Sequence, residues 1–337
     1  MKRLGIFFVI GLLSMFAIIG CEKDSSSTMD DKTLSQMELQ ESALDEENDY
    51  LMDWGIDDGD ENNMYDGFST FSSSMEFPKI MDPINNVARF GRKINNRFRR
   101  QVIFTRINED SALVSITREL RGNFVSFEKI DYDTTDPDTL ALYRKPLRHI
   151  VKRKAIFVKR NSDDQYEDNP GRGRWKLQAV TLGDGKSYPT NTIQIHEVVI
   201  HNSAGDSIVF TDPLETFLSV PEDIPTFNTG EMVTIRVKLE NTTGNPFIGP
   251  DGATETLLLH YGINRFHHAR KQFTYMGIDQ ATGDNVYEGF WRIGQQPYRV
   301  RHAIVDAIDN GTIYDNNEDD YPYNSTTWGA PYRVVPN

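Results

Sequence analysis

Residues 232–240 read Met-Val-Thr-Ile-Arg-Val-Lys-Leu-Glu. Val233, Ile235, Val237 and Leu239 alternate with polar neighbours, so every second side chain faces a core while the others face water. That is the signature of a half-buried strand. The run ends in Asn241-Thr242-Thr243-Gly244-Asn245-Pro246, a cluster of turn formers. The same grammar recurs on both sides of it. Candidate strands are Thr192–His201, Ser207–Thr211, Thr256–Ile263, Gln272–Ile278, Val286–Ile293, Arg299–Ala307 and Thr312–Tyr314. Gly249-Pro250-Asp251-Gly252, Thr282-Gly283-Asp284-Asn285 and Asp309-Asn310-Gly311 separate them. Short strands with regular turns predict that residues 186–337 form an all-β sandwich.

Upstream, residues 76–185 read as an α+β domain. Pro83 precedes Ile84, Val87, Ala88, Phe90, Gly91, Ile94 and Phe98, whose spacing predicts an amphipathic helix. Four β-rich segments follow: one opening with Val102, Phe104 and Ile107, then Ser111–Phe127, His149–Lys159 and Trp175–Leu182. The expectation is a helix packed on a curved antiparallel sheet. Further upstream, residues 22–70 hold 16 Asp/Glu against two Lys. High charge of one sign with little apolar content predicts that residues 21–75 are a disordered acidic tether. Leu34, Met37, Leu44 and Leu51 mark one stretch of helical spacing within it.

Two resemblances sharpen this picture. Val233 to Gly244 resembles the strand-then-Asn-Thr-Gly pattern of bacterial immunoglobulin-like domains, without the Cys-Trp-Cys core of the antibody type. Ala155-Ile156-Phe157-Val158-Lys159-Arg160 and Arg174-Trp175-Lys176-Leu177-Gln178-Ala179-Val180 resemble the last two long strands of the nuclear transport factor 2-like (cystatin-like) superfamily. That resemblance implies a cone with a pocket for a ligand or for catalysis. The usual His/Asp pair of its enzymes has no counterpart here.

The chain starts with Lys2 and Arg3, then an apolar run from Leu4 to Ile19, then Gly20-Cys21. The run is shorter than a membrane span of ~20 residues and exits through a small residue, as in a cleaved secretory signal. It resembles the lipobox of bacterial lipoproteins. The resemblance implies a signal peptide over residues 1–20, cleavage after Gly20, and lipid on the thiol of Cys21, the only cysteine in the chain. Acyl chains contribute ~0.8 kcal/mol per buried CH₂ to anchoring. Asp directly after the cysteine would resemble an inner-membrane retention signal; Glu22 stands there instead, so the resemblance implies the outer membrane. Lys23-Asp24 resembles in part the surface-export signal of Bacteroidetes lipoproteins, so either the periplasmic face or the cell surface remains open.

The 337 residues carry a net charge of −14, with 38% apolar and 26% charged residues. This excludes a polytopic membrane protein, and a single cysteine excludes a disulfide framework. Residues 71–185 are basic, with 22 Lys/Arg against 15 Asp/Glu. Within them Arg92, Arg97, Arg99 and Arg100 are candidates for contact with a polyanion such as anionic lipid or acidic polysaccharide. Nucleic acid is not expected outside the cytoplasm. Aromatics crowd the C-terminal part, and Trp291 and Trp328 are candidates for stacking on sugars. Gly183-Asp184-Gly185-Lys186-Ser187 ends like a phosphate loop but lacks its first glycine, and reads as a domain linker. The histidines lack metal-ligand spacing, so no metal or cofactor is expected. Neither Asp57–Asp66 nor Asp309–Asp320 has the glycine and glutamate of a hand-type calcium loop. The functional expectation is a lipid-anchored binding or structural module without catalysis, whose partner is an envelope polysaccharide or protein. One alternative is a glycan-binding component of a surface uptake system. Another is a hydrolase using the pocket of the α+β domain, where Glu119, Asp131 or His149 would have to converge.

Overall fold

The computed structural model describes residues 87–95, 99–129, 140–159, 175–264, 267–297 and 300–337, with Leu39, Ile84 and the short pieces 49–52 and 65–66. Strand is by far their commonest element, with two helical turns and the connecting loops making up the rest. In chain order the strands are β1 (Tyr65–Asp66), β2 (Val87–Ile94), β3 (Arg99–Arg106), β4 (Ser111–Lys129), β5 (Leu140–Lys159) and β6 (Trp175–Thr181). Then come β7 (Gly183–Ser187), β8 (Ile193–His201), β9 (Ser207–Phe210), β10 (Phe217–Ser219), β11 (Thr226–Asn228) and β12 (Met232–Asn241). The last are β13 (Glu255–Asn264), β14 (His267–Gln272), β15 (Thr274–Ile278), β16 (Asn285–Arg292), β17 (Val300–Asp309) and β18 (Ser325–Val335). Thirteen of them make one sheet in the order β1-β2-β4-β5-β7-β18-β17-β13-β14, with β3, β6, β10 and β11 on its flanks. The other five make a second sheet, β15-β16-β12-β8-β9.

The fold is therefore all-β, not a helix-on-sheet domain followed by a separate immunoglobulin-like sandwich. The expected helix over residues 84–98 is the point of failure. Residues 87–94 are strand β2, paired antiparallel with β4. Two features disguised it. A bulge between Val87 and Arg89 adds one residue, turning a spacing of two into the spacing of three that separates Val87 from Phe90. Beyond the bulge Phe90, Arg92 and Ile94 are all buried, so an arginine fills an inward place where alternation calls for an apolar residue. The expected strand Thr312–Tyr314 is instead a helical turn, Asn310–Tyr314, capped by the Asp309 side chain, which accepts from Gly311 N at 2.8 Å.

The large sheet curls. Arg92 on β2 reaches Asp306 on β17 although β4, β5, β7 and β18 lie between them in the strand order. Ser126 of β4 likewise donates to Ile313 O at 3.0 Å, and Ile84 N donates to Tyr314 O at 2.8 Å. On its convex side, β13, β17 and β18 are covered by the second sheet. Leu259, Ala303, Val305, Trp328 and Ala330 there face Val198, Ile200, Phe210 and Ile235. Burying each large apolar side chain of this layer stabilises the fold by ~1.5–3 kcal/mol. Over β3, β4 and β5 the second sheet does not cover the convex side, which carries Arg99, Gln101, Ser115, Thr117, Lys152 and Lys154, the last paired with Glu215 at 2.5 Å.

The residues read as a linker are strand β7, which bridges β5 and β18. The expected domain boundary at 185/186 falls inside it, and strands from both sides of that boundary share one sheet. The glycines belong to the interior. A Cβ on Gly185 would overlap Thr327 Oγ1 and His149 Nε2, and one on Gly183 would lie 3.3 Å from Arg153 Nη2. Parts of the expected tether also enter the fold. Leu39 and Leu51 are buried, residues 49–52 form a helical turn, and β1 pairs with β2. The remainder of residues 21–75, and all of the leader, lie outside the described residues.

Candidate functional site

The interior of the curl is polar at its centre. Arg92 donates to both oxygens of Asp306 at 2.5 and 2.7 Å, to Tyr323 Oη at 2.8 Å and to Ser325 Oγ at 2.9 Å. His260 Nε2 lies 2.9 Å from Asp306 Oδ2, and Ser325 Oγ donates to Asp306 Oδ1 at 2.9 Å. Tyr323 Oη is 3.1 Å from His149 Nδ1, and His149 Nε2 is 3.2 Å from Thr327 Oγ1. Arg153 donates to Tyr50 O at 2.8 Å and to Gly329 O at 3.2 Å, lying over the paired Gly183 and Gly329. Burial alone would raise the Asp306 carboxyl, but Arg92 and His260 hold it well below the carboxylate range. Burial, reinforced by the charge of Arg92, pushes the His149 imidazole down to about 3. These charges are paired and sealed from water. They act on one another, as the members of a structural ion pair do.

A second polar knot closes one end of the two sheets. Glu255 accepts from Thr254, Tyr287, Asn241 and Asn285, and Asp309 accepts from Asn241 and Thr243. Burial raises both carboxyls against those hydrogen bonds. Asn324 Nδ2 donates to Thr192 Oγ1 in the same region. This knot, too, is a closed network.

The expected site residues are distributed otherwise than the sequence implied. Trp291 is 0% exposed and packs against Tyr332 at a centroid distance of 4.6 Å, while Trp328 is 5% exposed in the layer between the sheets. Neither ring is available for stacking on a sugar. Indole is the largest apolar side chain, and a sandwich of this size buries it. Arg92 is not a polyanion contact, because it is the buried partner of Asp306. Arg99 is exposed and Arg100 half-buried on opposite faces of β3. Arg97 and Cys21 lie outside the described residues; of the described candidates, Arg92, Arg99 and Arg100 do not share one exposed face. Glu119 faces out and pairs with Arg121 and Arg148, whereas His149 faces in, so the two do not converge. Asp131 lies outside the described residues. Among the described residues no group of three His, Cys, Asp or Glu is placed to hold a metal ion, and no helix is long and apolar enough to cross a membrane.

What the sequence reading missed is an open groove of ≈ 370 Å³ beside the edge of β5, where β7 ends and the chain turns away. Pro146, Leu147 and Arg148 form one wall, Tyr188, Pro189 and Thr190 a second, and Glu318, Asp319 and Pro322 a third, over Tyr323. Tyr188 is 49% exposed, and the Arg148 guanidinium carbon lies 4.1 Å from its ring centroid. Arg148 is itself held by Glu119 at 2.5 Å. The acidic wall is fixed from behind. Asn317 Oδ1 accepts from Asp319 N and Asp320 N, and Asp315 Oδ1 accepts from Asn317 N. The volume falls in the range of small-ligand sites, ~300–1,000 Å³. The available signal was the Tyr188-Pro189 dipeptide that directly follows the glycines. No protein-family model matches the chain, and no curated protein matches it significantly.

Proposed function

We propose that this chain is a lipid-anchored cell-envelope protein, held at the outer membrane through Cys21, whose folded part binds a partner and performs no chemistry. The observation that carries the anchoring is the leader: Lys2 and Arg3, the apolar run to Ile19, and a sole cysteine directly after Gly20. Two features support binding over catalysis. The buried titratable groups satisfy one another inside the curl, and the concavity open to solvent is lined by prolines, Tyr188, Arg148 and two carboxylates. The partner is an envelope component, a polysaccharide or a protein.

Expression of the wild type and Cys21→Ala with the native leader in a Gram-negative host tests this reading. Membrane fractionation should find the wild type anchored and the variant released. Surface protease then assigns the face: digestion on intact cells places the protein at the cell surface, and protection places it in the periplasm. Retention of Cys21→Ala in the membrane would overturn lipid anchoring.

A further inference from the structure

The groove beside Tyr188 restricts the chemistry of what fills it. Its hydrogen-bonding groups are mostly acceptors. Glu318 and Asp319 are exposed carboxylates, and the Thr190 carbonyl already accepts from Ser187 Oγ at 2.6 Å. Glu119 takes only Nε of Arg148, so the side-chain donors of the walls are the Arg148 Nη groups and the hydroxyls of Tyr188 and Thr190. An anionic ligand would meet Glu318 and Asp319 directly. A cation would compete with Arg148, which already covers one face of the Tyr188 ring at 4.1 Å. A neutral, donor-rich ligand with an apolar C–H face meets none of these objections. Its hydroxyls donate to the carboxylates, and its C–H face lies on the part of Tyr188 that remains exposed.

We propose that the groove formed by Arg148, Tyr188, Glu318 and Asp319 is a binding site for a neutral saccharide. The proposal rests on the binding-module reading and names its ligand class. The rigid prolines and the side-chain-braced 315–320 segment hold the walls in place before binding, which lowers the ordering cost. It also moves the sugar-binding surface away from Trp291 and Trp328, which are core.

The test screens the folded protein lacking its leader on an immobilised array of neutral glycans, then titrates the best glycan calorimetrically. At least one neutral glycan should bind. Tyr188→Ala should weaken it about tenfold or more, and Asp319→Asn about threefold, while Tyr188→Phe keeps most of the affinity. Tyr188 and Asp319 are exposed, so melting temperatures should match the wild type and separate lost contact from lost folding. Absence of binding across the array would overturn the proposal. So would a bound glycan whose affinity is unchanged in both Tyr188→Ala and Asp319→Asn. Binding of only hexaproline or polygalacturonate, run as controls, would overturn it as well and leave a binding module of another specificity. Anchoring is read separately by fractionation of Cys21→Ala, so the two readings fail independently.

Discussion

The large sheet closes over a different kind of interior on each of its faces. Between its convex side and the second sheet, Leu259, Val305, Trp328, Ile200 and Ile235 make a dry layer without charge. Inside the curl, Arg92, Asp306, His260, His149 and Tyr323 make a polar centre ringed by Phe90, Phe124 and Leu51. The dry layer gains stability from area and loses it piece by piece. The polar centre gains less from its charges than water would have given them, and it fails as a unit when one member is removed.

The largest effects should come from breaking each interior once. Arg92→Ala leaves Asp306 as an unpaired buried charge and should cost ~3–5 kcal/mol in urea unfolding. Trp328→Ala opens a cavity in the dry layer and should cost a similar ~3–5 kcal/mol. The two losses differ in repair. Arg92→Met combined with Asp306→Leu should recover part of the first, the shortfall coming from His260, Ser325 and Tyr323, which lose their partners, whereas no second substitution in the polar centre should rescue Trp328→Ala.

A smaller effect sharpens the contrast at the boundary strand. Gly185→Ala pushes a methyl group into His149 and Thr327 and should cost ~1–3 kcal/mol. Gly205→Ala serves as a poor control because its φ of 90° is itself strained for alanine, so Gly244→Ala, which meets open space, is the better comparison.

Of the two interiors only the polar centre should depend on pH, while the raised Glu255 and Asp309 carboxyls of the knot add a gain of opposite sign as pH falls towards ~4. His149 stays neutral in the fold down to about 3 but takes a proton near 6.5 when unfolded. Its contribution is complete above 6.5 and is lost as pH falls from there towards 3. The slope approaches ~1.4 kcal/mol per pH unit in that window. Asp306, held below its ordinary value, adds stability that is lost only as pH falls below ~4. His149→Gln should flatten the stability curve between pH 6.5 and 4 and leave the steeper loss below it. Trp328→Ala should shift the whole curve without changing its shape. The smallest effect belongs to the part of the convex side that the second sheet does not cover, where Lys152→Ala should change stability by less than ~0.5 kcal/mol.

The same contrast explains what could be read from residues alone. Val233, Ile235, Val237 and Leu239 line the dry layer, and their alternation is intact because nothing polar is needed there. Strand β4 is nearly as plain, but of β5 only His149–Lys159 reads as strand, because Lys145 and Pro146 interrupt its first half. Strand β2 was misread because its inward places include Arg92 and a bulge, both of which serve the polar centre. Gly183 and Gly185 looked like a linker because the reason for them, room for Arg153 and His149, lies on other strands. Trp291 and Trp328 looked like a binding surface because composition does not say which face of a strand is covered. The groove at Tyr188 is assembled from three segments more than a hundred residues apart in part, and no local pattern marks it.

The most direct test of the curled sheet and its charged interior is a double-mutant cycle on Arg92 and Asp306, using Arg92→Met, Asp306→Leu and the pair, read by equilibrium unfolding at pH 7. The expected result is two damaging single variants, a double variant clearly less damaged than the sum of the two, and a coupling energy of about 2 kcal/mol or more. Additive losses would contradict it, because they would mean that β2 does not reach β17 and that the residues around Arg92 fold in some other way.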